Sequence, residues 1–265
     1  MTTADVEDAG PTRQGTKVRV EATIDLGPGD PAEVVLRMAV ARRTDLRVRK
    51  ESFTLGDDEL AIAAGSDGSC VTFLRTTGAP VQIRYAAELL LRAPAATVPL
   101  SLADRLEFTT QSRYCPSDLS GGLAGSLFGP LHGGDAIDAV AVWVRRHITY
   151  QFFSSRGSTT ALETLASAAG VCRDFAHLTI CFLRSLGVPA RYVAVYAPDL
   201  EQQDFHAVVE AHDGERWRLV DPTGLTDPTL AVRIATGRDG ADTPFLSVLS
   251  GYAPVTLVQV DARRI

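Results

Sequence analysis

The chain has 265 residues, 45% of them hydrophobic and 22% charged, so a soluble protein of about two domains with a sizeable apolar core is expected. Its formal net charge of -6 leaves no cationic surplus to neutralise phosphates, which speaks against nucleic-acid binding and against an anionic membrane as partner. The four cysteines, Cys70, Cys115, Cys172 and Cys181, form no CxxC pair, so neither a disulfide framework nor a closed zinc site is expected, and a reducing, cytoplasmic setting fits.

Residues 1–15 are polar and acidic with no apolar stretch, and read as a disordered N-terminus without a signal peptide. No later apolar run is long enough to span a membrane. Over 17–26, Val18, Val20, Ala22, Ile24 and Leu26 alternate with Lys17, Arg19, Glu21, Thr23 and Asp25, the period-two signature of a strand with one buried face. Strand-like runs follow at 32–40, 45–55, 69–75 and 79–92, separated by Gly, Pro and Asp clusters. Together they predict a sandwich-like β domain over 16–112, with no helix before about residue 100. The stretch 93–108 reads as an irregular connection, and the Gly-rich 121–130 as the region of a domain boundary.

From there the apolar period changes. Helices are predicted over 135–148, 160–168 and 171–187, the last with Phe175, Leu178, Phe182 and Leu186 on one stripe and Gly187 with Pro189 as its stop. Strands are predicted over 190–197, 204–212, 215–221, 244–251 and 255–261. Helices followed by strands make 113–265 an α+β domain.

Cys172 directly follows Gly170-Val171, where the third helix begins. A thiol there feels the positive end of the helix dipole, which favours the reactive thiolate. A packed core thiol is the competing reading. Downstream, Asp213-Gly214 between two strand-like arms signals a two-residue hairpin turn. That turn sets Glu210 opposite Trp217, Val208 opposite Leu219 and His206 opposite Asp221, with facing Cβ atoms roughly 4.5–5.5 Å apart. The carboxylate can then fix the tautomer of the imidazole, and the imidazole can deprotonate a thiol. A plain structural contact across the strands is the alternative. A zinc site built from Cys172, His206 and Asp221 is disfavoured because a second sulfur is missing.

The segments GVCRDFAHLTICFLRSLGVPARYVAVYAP and DFHAVVEAHDGERWRLVDPT resemble the bacterial transglutaminase-like superfamily, relatives of animal transglutaminases and papain-like peptidases. SRYCPSD (112–118) and VRIATGRDGADTPFLSVLSG (232–251) extend the resemblance to the bacterial subgroup with an N-terminal β domain. The resemblance implies an α+β fold: a β-sandwich-like domain followed by a papain-like, transglutaminase-like core. It implies Cys172 as nucleophile, His206 as base and Asp221 as the orienting residue, with no cofactor and no metal. The activity it implies is that of a cysteine peptidase or amidase acting on a peptide or protein amide, with acyl transfer to amines or a non-catalytic binding module as alternatives. The oxyanion hole would use the Cys172 backbone N–H and a second donor from Tyr114, Tyr150 or Trp143, core packing being the simpler role for Trp143. Asp174 reads as a charge serving the helix N-terminus, His177 as a packing residue, Arg238 and Asp239 as loop structure, and Cys70 and Cys181 as core. His212 reads as a solvated turn residue, while His132 and His147 have no evident partner.

Overall fold

The computed structural model describes residues 15–92 and 99–265, so the expected disordered N-terminus lies outside the described residues apart from Gly15. The first half is β1 (Thr16–Leu26), β2 (Ala32–Leu36), β3 (Leu46–Leu55), the two-residue pieces β4 (Asp58–Glu59) and β5 (Ala63–Ala64), β6 (Cys70–Thr76) and β7 (Val81–Leu91). The alternation in β1 does what a period of two demands: Val18, Val20, Ala22, Ile24 and Leu26 are all buried. With Phe53, Ile83 and Leu89 of the same sheet they pack against Leu36 and Leu74 of the second, in a core between the two. Each Val, Leu, Ile or Phe among them contributes about 1.5–3 kcal/mol when fully removed from water.

The second half runs α1 (Leu102–Thr109), α2 (Gly121–Phe128), α3 (Gly133–His147), β8 (Thr149–Tyr150), α4 (Ala161–Ser167), β9 (Ala169–Gly170), α5 (Cys172–Ser185), β10 (Ala190–Tyr196), β11 (His206–His212), β12 (Trp217–Val220), β13 (Val232–Gly237), β14 (Leu246–Ser250) and β15 (Val255–Arg264). Helix α5 is its centre. Every residue from Asp174 to Arg184 is buried, by α2, α3 and α4 on one side and the sheet β12-β11-β10-β13 on the other. The mixed α+β class expected from the sequence is the fold observed.

Four expectations about elements need correction. The strand predicted over 32–40 ends at Leu36, because the next residues bond to Tyr85 of the first half and to Tyr196 and Arg233 of the second. The Tyr196 hydroxyl donates to the Met38 carbonyl at 2.6 Å, and Val40 N–H donates to the Tyr85 hydroxyl at 3.0 Å. These bonds replace a strand ladder. The Gly-rich stretch is not a bare linker but helix α2. Ala124 and Phe128 are buried, with the Phe128 ring 5.8 Å from that of Phe182, while Gly121, Gly122 and Gly125 face open space. Packing on one face outweighs a cost of about 1 kcal/mol per glycine. Within the stretch read as a connection, 93–98 lies outside the described residues, and α1 begins where the Ser101 hydroxyl accepts from Asp104 N–H at 2.9 Å. Finally, the last two strands leave the second half of the chain. β14 pairs with β2 and β15 pairs with β1, so the sheets read β14-β2-β6-β5 and β15-β1-β7-β3-β4. Grouping 113–265 as one unit therefore fails for this tail. Without it, β1 and β2 would each present an unpaired edge.

The parts around α5 are tied together by one buried cation. The Arg184 guanidinium donates from Nε to the Phe108 and Ala190 carbonyls, from Nη1 to the Thr110 carbonyl and Ser112 hydroxyl, and from Nη2 to the Arg238 carbonyl at 2.6 Å. Arg184→Met keeps the volume and strands these carbonyls. It is expected to lower the free energy of unfolding by about 3 kcal/mol, read from a denaturant titration. An unchanged midpoint would show that water takes over the guanidinium's work.

Candidate active site

The start of α5 is built by a short parallel pairing, Thr149 with Ala169 and Tyr150 with Gly170. Asp174 then reaches back, its Oδ2 accepting the Val171 N–H at 2.8 Å. This satisfies one of the amide groups that a helix N-terminus leaves unpaired. Gly170 is required here, since a Cβ at that position would lie 2.7 Å from the Asp174 Cβ. The result is a half-buried Cys172 at the first position of a fourteen-residue helix, at the positive end of its dipole.

The hairpin that carries His206 differs in register from the sequence expectation. Its loop has four residues, Asp213 to Arg216, because Asp213 Oδ1 accepts the N–H groups of Glu215 and Arg216, both at 2.9 Å. An Asx-closed loop of this kind replaces the two-residue turn. His212 therefore pairs with Trp217, Glu210 with Leu219 and Val209 with Val220. The slip amounts to two residues, and side chains alternate with a period of two, so Asp221 stays on the face that His206 uses. It stands diagonally rather than directly opposite, and the bond still forms: His206 Nε2 to Asp221 Oδ2 is 3.1 Å.

Asp221 is held from all sides. Oδ1 accepts from Thr223 N–H at 2.9 Å and from the Thr223 hydroxyl at 2.7 Å. Oδ2 accepts from Thr226 N–H and the Thr226 hydroxyl, both at 3.0 Å. Burial alone would raise its pKa, but His206 and Thr223 together hold it below the ordinary carboxylate value. The imidazole behaves in the complementary way. Burial pushes His206 down, yet its bonds to Asp221 and Cys172 and the charges of both outweigh that loss and lift it to about 10. With Nε2 committed to Asp221, Nδ1 is the nitrogen left for the Cys172 sulfur. Thus three residues distant in sequence meet: a thiol at a helix mouth, an imidazole that pairs with it, and a buried carboxylate behind the imidazole.

Of the three aromatic candidates for a second donor, only Tyr150 reaches Cys172. Its phenol oxygen faces both the sulfur and the amide N–H of Cys172, and burial followed by the Cys172 charge raises its pKa, so it remains a protonated donor. Tyr114 instead stacks on His177 at 5.0 Å and gives its backbone N–H to Asp239. Trp143 lies against Phe128, Phe182 and His147.

His177 is wholly buried, and its Nε2 accepts the Gly240 N–H at 3.0 Å. Burial lowers its pKa to about 3, so it is neutral at working pH. Asp239 receives Tyr114 and Ala241 N–H groups, and Arg238 pairs with Asp242, loop roles for both. Cys70 and Cys181 are fully buried. His212 is not a solvated turn residue. It is buried, its Nδ1 accepts Gly214 N–H at 3.1 Å, and it meets Trp217 edge-on. His147 does have partners, stacking on Trp143 at 4.1 Å and donating to the Trp143 carbonyl. Thr223 and Thr226 were not anticipated as holders of Asp221. The signal was present in DPTGLT, where hydroxyl residues two and five positions after an Asp can fold back on it.

Residues 123–222, which contain Cys172, His206 and Asp221, match the family described as the transglutaminase-like superfamily. The fold is similar to the crystal structure of a candidate cysteine protease from Cytophaga hutchinsonii, with a TM-score of 0.86 and 30% sequence identity, covering 95% of this chain and 91% of that one. An uncharacterised protein of Mycobacterium leprae is 34% identical over 133 residues, 46% of this chain. That match spans about half of the curated relative, 47% of its length.

The raised His206 pKa sets a pH window. Its folded value lies above the free value of 6.5, so the stabilisation supplied by the paired imidazolium is complete below pH 6.5 and is lost as pH rises through about 10. Proton NMR of the His206 ring should show a titration near pH 10 that moves down in Asp221→Asn. A wild-type ring titrating near 6.5, or an unmoved value in the variant, would contradict this electrostatic account.

Proposed function

The chain belongs to the transglutaminase-like superfamily, and on that premise we propose that it is a thiol hydrolase cleaving a peptide or protein amide with Cys172 as nucleophile. The observation that supports this reading is the meeting of the Cys172 sulfur, the His206 imidazole and the Asp221 carboxylate, the imidazole bonded to Asp221 at 3.1 Å. The sulfur attacks the acyl carbon as thiolate while His206 carries the proton. The carbon–nitrogen bond breaks, the imidazolium gives its proton to the departing amine, and a thioester remains on Cys172. Water, deprotonated by His206, then attacks the thioester carbon; the carbon–sulfur bond breaks, and a carboxylic acid leaves. Asp221 keeps the imidazole in its tautomer and stabilises the imidazolium throughout. The Cys172 backbone N–H and the Tyr150 phenol supply the oxyanion donors, and no metal takes part in this scheme. The similarity to a candidate cysteine protease over nearly the whole chain favours hydrolysis. A reducing compartment suits a catalytic thiol that must stay unpaired.

Acyl transfer shares the first half of this scheme, with a primary amine in place of water. The two are separated by incubating the protein with a glutamine-containing peptide and a labelled primary amine. Ammonia or peptide fragments released without label in the product is the expected outcome, and label incorporation would turn the assignment to a transglutaminase. For hydrolysis itself, Cys172→Ala should abolish turnover, and Asp221→Asn should lower kcat by on the order of 10³–10⁴ with little change in KM. Turnover that survives Cys172→Ala would end the thiol mechanism.

A further inference from the structure

The turn after β8 carries two adjacent aromatic residues, Phe152 and Phe153, and Phe153 is fully exposed. Its φ of 61° lies in the left-handed region, where a glycine sits freely and a bulky side chain is strained. An exposed ring on a strained backbone is unfavourable twice over. The turn is nevertheless fixed. Gln151 N–H donates to the Gly170 carbonyl at 2.9 Å, and the Ser154 hydroxyl donates to the Gln151 carbonyl at 2.7 Å. Arg173, next to the nucleophile, donates to the Arg156 carbonyl at 2.6 Å and to the Ser155 hydroxyl at 3.2 Å. The loop is thus bound to the first turn of the helix that bears Cys172.

The aromatic rings continue inward from there. Phe152, half exposed, meets Tyr150 edge-on at 5.5 Å, Tyr150 packs on Phe175 at 5.8 Å, and the Tyr150 phenol faces the Cys172 sulfur. A line of rings therefore leads from the sulfur out to Phe152, and Phe153 follows it in the chain with its side chain bare. Such a line, held rigidly and left bare at its outer end, suits a large apolar side chain of the substrate beside the bond under attack. We propose that Phe152 and Phe153 form a subsite for a bulky apolar or aromatic residue flanking the scissile amide. This rests on the thiol reading above and adds a substrate class to it.

The test uses the full chain and two chloromethyl ketone probes that differ only in the residue next to the warhead, benzyloxycarbonyl-Phe and benzyloxycarbonyl-Ala. The rate of Cys172 labelling is followed by mass spectrometry. In the wild type the Phe probe should label about tenfold faster than the Ala probe, the scale on which an apolar pocket discriminates. Phe153→Gly, whose glycine accepts the observed φ, should bring the two rates within about twofold of each other. Phe152→Ala should narrow the difference in the same direction. Equal wild-type rates, or a preference that persists in Phe153→Gly, would overturn the subsite. A Phe153→Gly effect confined to self-association or vesicle binding would also overturn it, in favour of a docking role. If neither probe labels Cys172 faster than it labels the urea-unfolded chain, the nucleophile falls and the subsite with it. That result is distinguishable from the loss of preference alone.

Discussion

The carboxylate of Asp221 is the fixed point of the site. It sits behind His206, out of water, and a buried carboxylate survives as a charge only if its lone pairs are occupied. Thr223 and Thr226 occupy them with both backbone and hydroxyl groups, and His206 takes the remaining direction. The Thr bonds favour the ionised carboxylate, so they contribute to the His206 pKa without touching the ring. The imidazole so held stands beside the Cys172 sulfur at the start of α5. The chemistry proposed for Cys172 depends on this chain of contacts running inward to two threonines.

The scaffold brings the sulfur to that ring by constraints that act on backbone rather than side chains. β8 and β9 pair over only two residues, yet they bring Tyr150 beside Gly170, and so beside Cys172 two positions later. Gly170 leaves room for Asp174 to close the helix start. At the far end of α5, Arg184 collects carbonyls from the α1 loop, β10 and the loop after β13. The helix is pinned at both ends, with the Cys172 thiol at one of them. The N-terminal sandwich is joined to this core through Tyr196, whose hydroxyl bonds to Met38 and whose ring stacks on Tyr85 at 6.3 Å. A buried ion cluster adds to the junction: Glu210 pairs with Arg191 and Arg233, and Arg233 reaches Asp45 of the first half.

Much of this was readable in the amino-acid order where a single physical rule dominates. The alternation of β1 and the helix around Phe175, Leu178 and Phe182 follow from periodicity alone. The candidate site was legible because Cys172 stands at a helix start and His206 shares a face with Asp221. The register itself was not, since Asp213 closes a four-residue loop where Asp-Gly suggested two; only the even size of the slip preserved the pairing of faces. Helix α2 was hidden because its stability comes from Ala124 and Phe128 packing on distant residues, against the local preference of its glycines. The return of β14 and β15 to the first sheets is likewise a matter of which edges need partners, and an edge strand carries no mark of its neighbour in its own sequence.

The central claim is that His206, steered by Asp221, makes Cys172 the reactive sulfur of this protein. The direct measurement is the rate of iodoacetamide modification of each of the four cysteines in the native chain near neutral pH, resolved by peptide mass spectrometry, in wild type and in His206→Ala. The account predicts that Cys172 is modified first in the wild type and faster than in the unfolded chain, and that its advantage is lost in the variant. A wild-type Cys172 that reacts no faster than in the unfolded chain, or a rate unaffected by loss of the imidazole, would contradict it.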